Sequence, residues 1–211
     1  MSNILIIKLG SLGDVVQISG ALRDIREHHK NGKITILTTS KYINLFKNCP
    51  YVDNCLEDER LPRYNIFYLL RLRKIINSLN FNKVYDLQNS NRTNFYRKFL
   101  FNVKNWSSSR DIPENKYNNS VLQRFDEQLR KSNIKTLYTL KPDFSWAAEQ
   151  ANNYNLDTDK KYILFFPFCS RDLIHKRWPY FSELINLIKQ NHPEYSLVVA
   201  PGPGEIEEAK S

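Results

Sequence analysis

The residues best able to carry out chemistry begin in a short loop that follows an apolar run of strand length. The run Ile4–Leu9 leads into Gly10-Ser11-Leu12-Gly13-Asp14, and a helical pattern follows at once. The glycines let a ligand approach the backbone closely, and the first helical turn offers unpaired N–H groups with a partial positive charge. A carboxylate at such a position can remove a proton from a bound hydroxyl, but aspartate is also a common helix cap. The loop alone therefore leaves the role of Asp14 open.

A second loop rich in charged residues follows the apolar run Tyr162–Phe168. It extends from Cys169 to Arg177 and leads into Trp178-Pro179, where a helix is predicted because proline suits a first helical turn. Lys176 lies at this strand–loop–helix junction, although a lysine chosen at random is usually an ordinary exposed residue. The later turn Pro201–Glu205 adds glycines and an acid, which a helix start would also favour.

Parallel strands are needed to position these loops, and the apolar patterns predict them. Strand, helix and strand in succession form the unit of a parallel sheet. The polar run Gln88–Arg92 follows the third strand, at the end where open α/β sheets bind ligands. Strands are predicted at 4–9, 33–39, 83–88, 105–110, 162–168 and 196–200, and helices at 15–25, 42–46, 66–79, 95–100, 120–129, 145–154, after Trp178 and after Glu205.

The net charge of +9 is concentrated in one segment of the 211-residue chain. Between Arg60 and Lys104 there are ten basic residues and a single acid, Asp86, so this segment alone carries the whole excess. Such a segment favours an anionic partner, namely a phosphorylated lipid, a membrane surface or a nucleic acid.

The cysteines and the hydropathy narrow the class of protein further. The three cysteines form no C-x-x-C pair, so neither a disulfide framework nor a zinc site is indicated, as suits a reducing cytoplasm. No apolar run reaches the roughly 18 residues of a membrane-spanning helix. No D-x-D pair follows a predicted strand, and we expect no required metal and no cofactor.

Five motifs occur in a fixed order that covers nearly all of the chain. They are I-L-I-I-K-L-G-S-L-G-D at 4–14, N-C-P-Y-V-D at 48–53, D-L-Q-N-S-N-R at 86–92, S-R followed by K-R-W-P within 170–179, and P-G-P-G-E at 201–205. No single motif is decisive, but the ordered set is specific. Together they resemble glycosyltransferase family 9, the ADP-heptose:lipopolysaccharide heptosyltransferases.

The resemblance implies an α/β fold of the GT-B type, with two Rossmann-like parallel-sheet domains facing across a cleft. It implies an acceptor-binding domain at residues 1–154 and the start of a nucleotide-sugar-binding domain at residues 155–211, after a polar linker. We expect the chain to be truncated in this second domain, because the family's D-[ST]-G-x-x-H donor motif is missing from it.

The resemblance also implies roles for individual residues in an inverting sugar transfer from a nucleotide diphosphate to an acceptor hydroxyl. Asp14 is implied as the general base, and Lys176 as the counter-ion of the departing diphosphate. Contacts to the donor are implied for Ser170, Arg171, Gly204 and Glu205. Contacts to the acceptor are implied for Gly10, Ser11, Gly13, Gln88 and Arg92.

The expected donor is ADP-heptose or a related ADP-sugar, and the expected acceptor is a phosphorylated lipopolysaccharide core. The basic segment would meet that acceptor at an anionic membrane, so we expect a cytoplasmic protein, peripheral at the inner face of the bacterial inner membrane, with no nucleic-acid partner. Two alternatives stay open. One is a non-catalytic Rossmann-like module that binds nucleotide or RNA through interleaved aromatic and basic residues. The other is a GT-B transferase with a different donor.

Overall fold

The structure is a computed structural model that describes residues 2–112, 120–148, 159–169, 171–202 and 204–210. The chain divides into two compact units, residues 1–148 and residues 149–211. Each unit contains parallel strands connected through helices, so the predicted α/β class with two parallel sheets is confirmed. The domain boundary expected between residues 154 and 155 lies outside the described residues.

The first unit is built on five parallel strands in the order β3-β2-β1-β4-β5. The strands are β1 (Asn3–Ile7), β2 (Lys33–Thr38), β3 (Asn54–Glu57), β4 (Lys83–Asp86) and β5 (Trp106–Ser108). The chain winds outward from β1 to β3 and then returns to the other side of β1 for β4. The loops after β1 and β4 therefore leave one edge of the sheet side by side, at the switch point where such sheets bind ligands.

Helices pack on both faces of this sheet, which is why β1 is an almost unbroken apolar run. Ile4 and Ile6 pack in one buried cluster with residues of α2, whereas Leu5 and Ile7 pack in another with residues of α4. The helices are α1 (Leu12–Gln17), α2 (Ser19–His28), α3 (Ser40–Lys47), α4 (Ile66–Ser78), α5 (Asn91–Phe95) and α6 (Val121–Lys131). A π-helical turn spans Tyr96–Leu100, and 3-10 turns span Ser109–Asp111 and Ser145–Ala147.

Three elements of the first unit differ from the sequence predictions. β3 was not predicted, because its residues contain no apolar run and only its pairing with β2 makes it a strand. The first helix is interrupted at Ile18, a break that the apolar pattern cannot reveal because Val15, Ile18 and Leu22 all reach the same buried cluster. The helix predicted at 145–154 is wrong at its start, since Ala148 is extended, and its remainder lies outside the described residues.

The segment 137–139 is held tightly against the start of α2. A methyl group added at Gly20 would lie 2.1 Å from the carbonyl oxygen of Tyr138, so only glycine fits there without displacing the backbone. The carboxylate of Asp24, one turn further along α2, accepts hydrogen bonds from the same segment. This contact joins the end of the first unit to the helix that follows the Gly10–Asp14 loop.

Gly20→Ala should therefore destabilise the protein by about 1–3 kcal/mol through overpacking. Gly13→Ala is the matched control, because a methyl group at Gly13 meets nothing within 4 Å. The control should gain about 0.5–1 kcal/mol, since alanine loses less conformational entropy than glycine in a helix. Urea unfolding monitored by circular dichroism measures both changes. Equal changes for the two variants would contradict the described packing of segment 137–139.

The second unit contains a parallel pair of strands, β6 (Lys161–Phe165) and β7 (Tyr195–Val199). A 3-10 segment at Arg171–Lys176 is followed by α7 (Phe181–Asn191), and α8 (Ile206–Lys210) follows β7. The helix α7 starts two residues after Pro179, slightly later than predicted. Over both units, the described helices include none that is long and apolar enough to cross a membrane.

Candidate functional site

A cleft of about 550 Å³ opens at the switch point of the first sheet, beside the loops that follow β1 and β4. Its walls come from these loops, from the start of α3 and from the segment after β3. The lining residues are Leu9, Gly10, Ser11, Asp14, Thr39, Ser40, Lys41, Tyr42, Asp58, Glu59, Arg60 and Gln88. Of the five residues expected at the acceptor, Gly10, Ser11 and Gln88 line this cleft, whereas Gly13 and Arg92 do not.

Asp14 lies in the first turn of α1, half-buried at the edge of the cleft. Its Oδ2 accepts hydrogen bonds from the backbone N–H of Ser11 at 2.9 Å and from the Ser11 hydroxyl at 3.1 Å. Ser11 is thus the N-cap residue of α1, and Asp14, at the third helical position, completes a capping box with it. Among the described residues no donor reaches its other oxygen, Oδ1, so a ligand hydroxyl could bind there.

Gly10 is required by the backbone and by its neighbour. Its φ of +121° is a conformation that L-residues rarely adopt, and a methyl group there would lie 2.9 Å from the ring of Tyr42. The glycine thus lets Tyr42 of α3 pack against the loop and form one wall of the cleft. Gly13, by contrast, is exposed, and its added methyl group would enter open space.

Gln88 joins the two loops of the switch point. Its Oε1 accepts a hydrogen bond of 2.9 Å from the backbone N–H of Leu9. Arg92 makes its hydrogen bonds within the protein. Its guanidinium donates to the hydroxyl of Tyr96 at 2.9 Å and to the carbonyl oxygens of Arg60 and Leu61 at 3.2 and 2.9 Å. Arg92 therefore supports the segment that forms a wall of the cleft.

Lys8 is a candidate that sequence reasoning missed. Its side chain is buried with 4% exposure, and its ammonium donates to the carbonyl oxygen of Leu87 at 3.2 Å. Burial lowers the pKa of Lys8, and the nearby charges of Asp14 and Asp86 partly offset that effect. Lys8, Asp14 and Arg124 line a second, smaller cavity of about 160 Å³. A lysine interrupting an apolar strand run was the signal that could have revealed it.

A buried hydrogen-bond network supports the opposite wall of the cleft. Asp58 has no exposed surface, and its carboxylate accepts from the hydroxyls of Tyr68 and Tyr96, the latter at 2.8 Å. The backbone N–H of Arg60 donates to the same carboxylate at 2.8 Å. Burial and the Asp58 charge raise the pKa of Tyr96 to about 12, so its hydroxyl stays protonated and donates. No sequence pattern connects these residues, which lie far apart in the chain.

The loop after β4 is braced by side chains from three elements. Asp86 accepts hydrogen bonds from the backbone N–H groups of Gln88 at 3.1 Å and Asn89 at 2.8 Å. Burial raises the pKa of Asp86 to about 6, although these hydrogen bonds and one from Thr93 oppose the shift. Gln128 of α6 donates to the carbonyl oxygens of Asp86 and Ser107, both at 3.0 Å. These hydrogen bonds hold the loop that carries Gln88 and thereby position Gln88 in the cleft.

In the second unit, a cavity of about 570 Å³ opens between β6, β7 and the turn before α8. Glu205 and Gly204, both expected at the donor, line it, and Gly204 has a φ of +82° that glycine favours. Glu205 accepts a hydrogen bond of 2.8 Å from the backbone N–H of Gly202. Arg177 also lines the cavity, lies 3.6 Å from Glu205 and forms an ion pair with Glu208. Arg177 was overlooked in the sequence, although it adjoins Lys176.

The other residues expected on the donor side are Lys176, Ser170 and Arg171. Lys176 ends the 3-10 segment Arg171–Lys176, is exposed, and does not line the cavity. Ser170 and the side chain of Arg171 lie outside the part of the chain that the structure describes. In that described part, no cluster of three or more His, Cys, Asp or Glu residues could hold a metal ion.

Comparison with solved structures shows that the chain has a known fold. No protein-family model matches the chain, and no curated protein matches it. The glycosyl transferase family 9 structure from Veillonella parvula DSM 2008 superposes with a TM-score of 0.75 at 17% identity, over 99% of this chain and 65% of that one. The chain thus spans about two thirds of that structure's length.

Two structures from E. coli are also similar. Heptosyltransferase WaaC with ADP gives a TM-score of 0.70 at 20% identity, over 99% of this chain and 71% of that one. ADP-heptose lps heptosyltransferase II gives a TM-score of 0.67 at 17% identity, over 100% of this chain and 67% of that one. These likenesses establish that the chain has the α/β fold of these enzymes.

Proposed function

We propose that this chain belongs to glycosyltransferase family 9 and is an inverting glycosyltransferase. It would move a heptose or a related sugar from an ADP-sugar to a hydroxyl of a lipopolysaccharide-core acceptor. The observation that carries the proposal is Asp14, a half-buried carboxylate at the edge of a cleft at the sheet's switch point, with one oxygen free of described donors. The five ordered motifs and the shared fold support it.

In the proposed mechanism, Asp14 takes the proton of the acceptor hydroxyl as that oxygen attacks the anomeric carbon. Ser11 holds Oδ2 through two hydrogen bonds, which orients Oδ1 toward the substrate. Ser11, Gln88 and the Gly10 backbone would contact the acceptor in the cleft. Gly13 and Arg92 would act less directly, Gly13 by leaving open space and Arg92 by supporting the cleft wall. A single displacement with one base inverts the anomeric configuration.

The donor is proposed to bind the second unit. Glu205 and the turn at Gly204 would contact the nucleoside. The E. coli heptosyltransferase WaaC, which is similar in fold, has been solved with ADP and with ADP-2-deoxy-2-fluoro heptose. Negative charge grows on the diphosphate as it leaves, and a fixed cation stabilises that charge. Lys176 is proposed as this cation, with Ser170 and Arg171 as further contacts and Arg177 near the nucleotide.

The proposed reaction requires no metal and no cofactor, because Asp14 supplies the base and Lys176 the positive charge. We place the protein in the cytoplasm, peripheral at the inner face of the inner membrane. The first unit would hold the lipid-linked acceptor and the second unit the nucleotide sugar. No nucleic-acid partner is invoked.

Mass spectrometry tests the proposal directly. The full-length protein is incubated with ADP-heptose and a lipid A–Kdo acceptor, and the product is expected to gain the mass of one heptose. Transfer from a UDP-sugar in place of the ADP-sugar would identify a different donor within the same reaction class. Salt-dependent RNA binding with no transfer from any sugar nucleotide would contradict the proposal and favour the non-catalytic binding module.

Lys176→Gln should lower kcat/KM for the donor by about 10²-fold, since it removes a charge that acts on the developing diphosphate. Lys189→Gln is the matched control, because Lys189 is an exposed lysine in the last turn of α7. Steady-state kinetics with varied donor measure both. If the two variants lose activity equally, Lys176 is not the proposed counter-ion.

A further inference from the structure

The first unit exposes a group of large apolar side chains that its own core leaves uncovered. Tyr64, Phe67, Leu70 and Phe99 are 85, 88, 54 and 67% exposed, and we call them the aromatic patch. Isolated exposed apolar residues are common on soluble proteins. Here, however, the four lie on adjoining elements, because α4 contacts the π-helical turn that carries Phe99.

Ring contacts through Phe95 connect Phe99 with the residue that precedes Tyr64. Phe99 packs on Phe95 with ring centroids 5.4 Å apart, and the guanidinium of Arg63 lies 5.7 Å from the centre of the Phe95 ring. Tyr64 follows Arg63 in the chain, and Phe67 and Leu70 are one helical turn apart on the same face of α4. The opposite face of α4 is buried in the core. Phe67 and Leu70 thus lie on the outer face of an amphipathic helix, and Tyr64 and Phe99 extend the aromatic patch beyond it.

The charge around the aromatic patch is strongly positive. Arg73, Lys74 and Lys98 are exposed and have no ion-pair partner among the described residues. The single acid between Arg60 and Lys104 is Asp86, which is buried and offers no surface charge. Arg71 and Arg97 of this segment are paired with Glu59 and Asp111, which leaves Arg73, Lys74 and Lys98, within the described part of the chain, as uncompensated cations near the exposed aromatic rings.

We propose that the aromatic patch docks on an anionic lipid bilayer. Tyr64, Phe67, Leu70 and Phe99 would enter the headgroup region, while the neighbouring lysines and arginines would contact lipid phosphates. An apolar face flanked by cations is the arrangement that binds anionic membrane surfaces. A protein partner fits less well, because the cores of protein interfaces are depleted of lysine.

The docking surface lies close to the cleft of the first unit. Arg60 lines the cleft, and four residues further along the chain is Tyr64, which limits their separation to about 14 Å. A bilayer-embedded acceptor would therefore reach the cleft without leaving the membrane surface. The docking itself does not depend on the proposed sugar transfer.

Co-sedimentation with vesicles tests the inference. The protein should bind vesicles of mixed phosphatidylglycerol and phosphatidylcholine. Its affinity for vesicles of phosphatidylcholine alone should be lower by at least about fivefold, because each lysine or arginine near an anionic surface raises the affinity by about that factor. Phe67→Ser and Leu70→Ser should each weaken the binding by about tenfold. Leu137→Ser is the matched control, since Leu137 is 58% exposed in the same unit.

Two further pairs of variants separate docking from a general effect of charge and from a loss of folding. Lys74→Glu should weaken vesicle binding, whereas Lys135→Glu, a change of equal charge at another exposed lysine of the unit, should have a smaller effect. In Phe67→Trp the added tryptophan should be quenched by lipids brominated in their acyl chains, and in Leu137→Trp it should not. All these side chains are exposed, so circular dichroism spectra should be unchanged.

The inference is overturned if the protein binds neither vesicle, or if Phe67→Ser and Leu137→Ser bind anionic vesicles equally. Loss of RNA binding, without loss of vesicle binding, in Phe67→Ser would assign the aromatic patch to nucleic acid. Sugar transfer to a water-soluble acceptor should be unaffected by Phe67→Ser, so failure of docking and failure of the proposed function are observed separately.

Discussion

Asp14→Asn is expected to lower kcat by about 10²–10⁴-fold, the usual contribution of a general base. The amide cannot accept the proton of the acceptor hydroxyl, yet it has almost the same size as the carboxylate. Its oxygen can still accept the hydrogen bonds that Ser11 donates to Oδ2, so α1 should keep its cap. Donor binding should be retained, because the proposed donor residues belong to the second unit.

Asp143→Asn is the matched control for this variant. Asp143 is also a carboxylate of the first unit that accepts a backbone N–H, that of Ser145 at 2.9 Å, but it is exposed and does not line the cleft. Steady-state kinetics and nucleotide titration should show full activity for the control and loss of turnover with unchanged donor affinity for Asp14→Asn. Retained turnover in Asp14→Asn would mean that another group takes the proton.

Asp24→Ala is expected to destabilise the protein by about 3–5 kcal/mol, because several buried donors lose their acceptor at once. Asp24 is 2% exposed, and its carboxylate accepts from the backbone N–H groups of Leu137, Tyr138 and Thr139 and from the Thr139 hydroxyl. Each unpaired buried donor costs about 1–3 kcal/mol, and entry of water would recover part of that cost. Urea denaturation provides the measurement.

Asp143→Ala serves as the control for Asp24→Ala, since it removes a carboxylate that caps a backbone N–H at the surface. Its unfolding midpoint should stay close to that of the unchanged protein. A loss below about 1 kcal/mol for Asp24→Ala would show that segment 137–139 does not depend on this carboxylate.

The first strand, the loop after it and the start of the first helix were predicted correctly, because all of their determinants are local. An apolar run, two glycines and a carboxylate followed by a helical pattern are contiguous in the chain, and Gln88 follows its own strand in the same way. The strand order that brings the two loops together follows from the parallel βαβ connections. The expected ligand edge of the sheet could therefore be identified before the structure.

The supporting residues could not be predicted, because their partners are distant in the chain. The sequence does not show that Asp58 is bound by Tyr68 and Tyr96. Nor does it show the bonds of Arg92 to the carbonyl oxygens of Arg60 and Leu61. β3 was missed for the same reason, since an edge strand of four residues is defined by its neighbour. Local patterns thus identify the loops that face a ligand, and tertiary contacts determine what holds them.

The anomeric configuration of the sugar in the product tests the central claim most directly. Nuclear magnetic resonance of the product from a defined ADP-sugar and a lipid-linked acceptor reports that configuration. We predict inversion, because Asp14 serves as the base in a single displacement. Two other carboxylates line the cleft, but Asp58 is held by the hydroxyls of Tyr68 and Tyr96 and Glu59 is paired with Arg71. A product with retained configuration, or no sugar transfer by the full-length protein, would contradict the account.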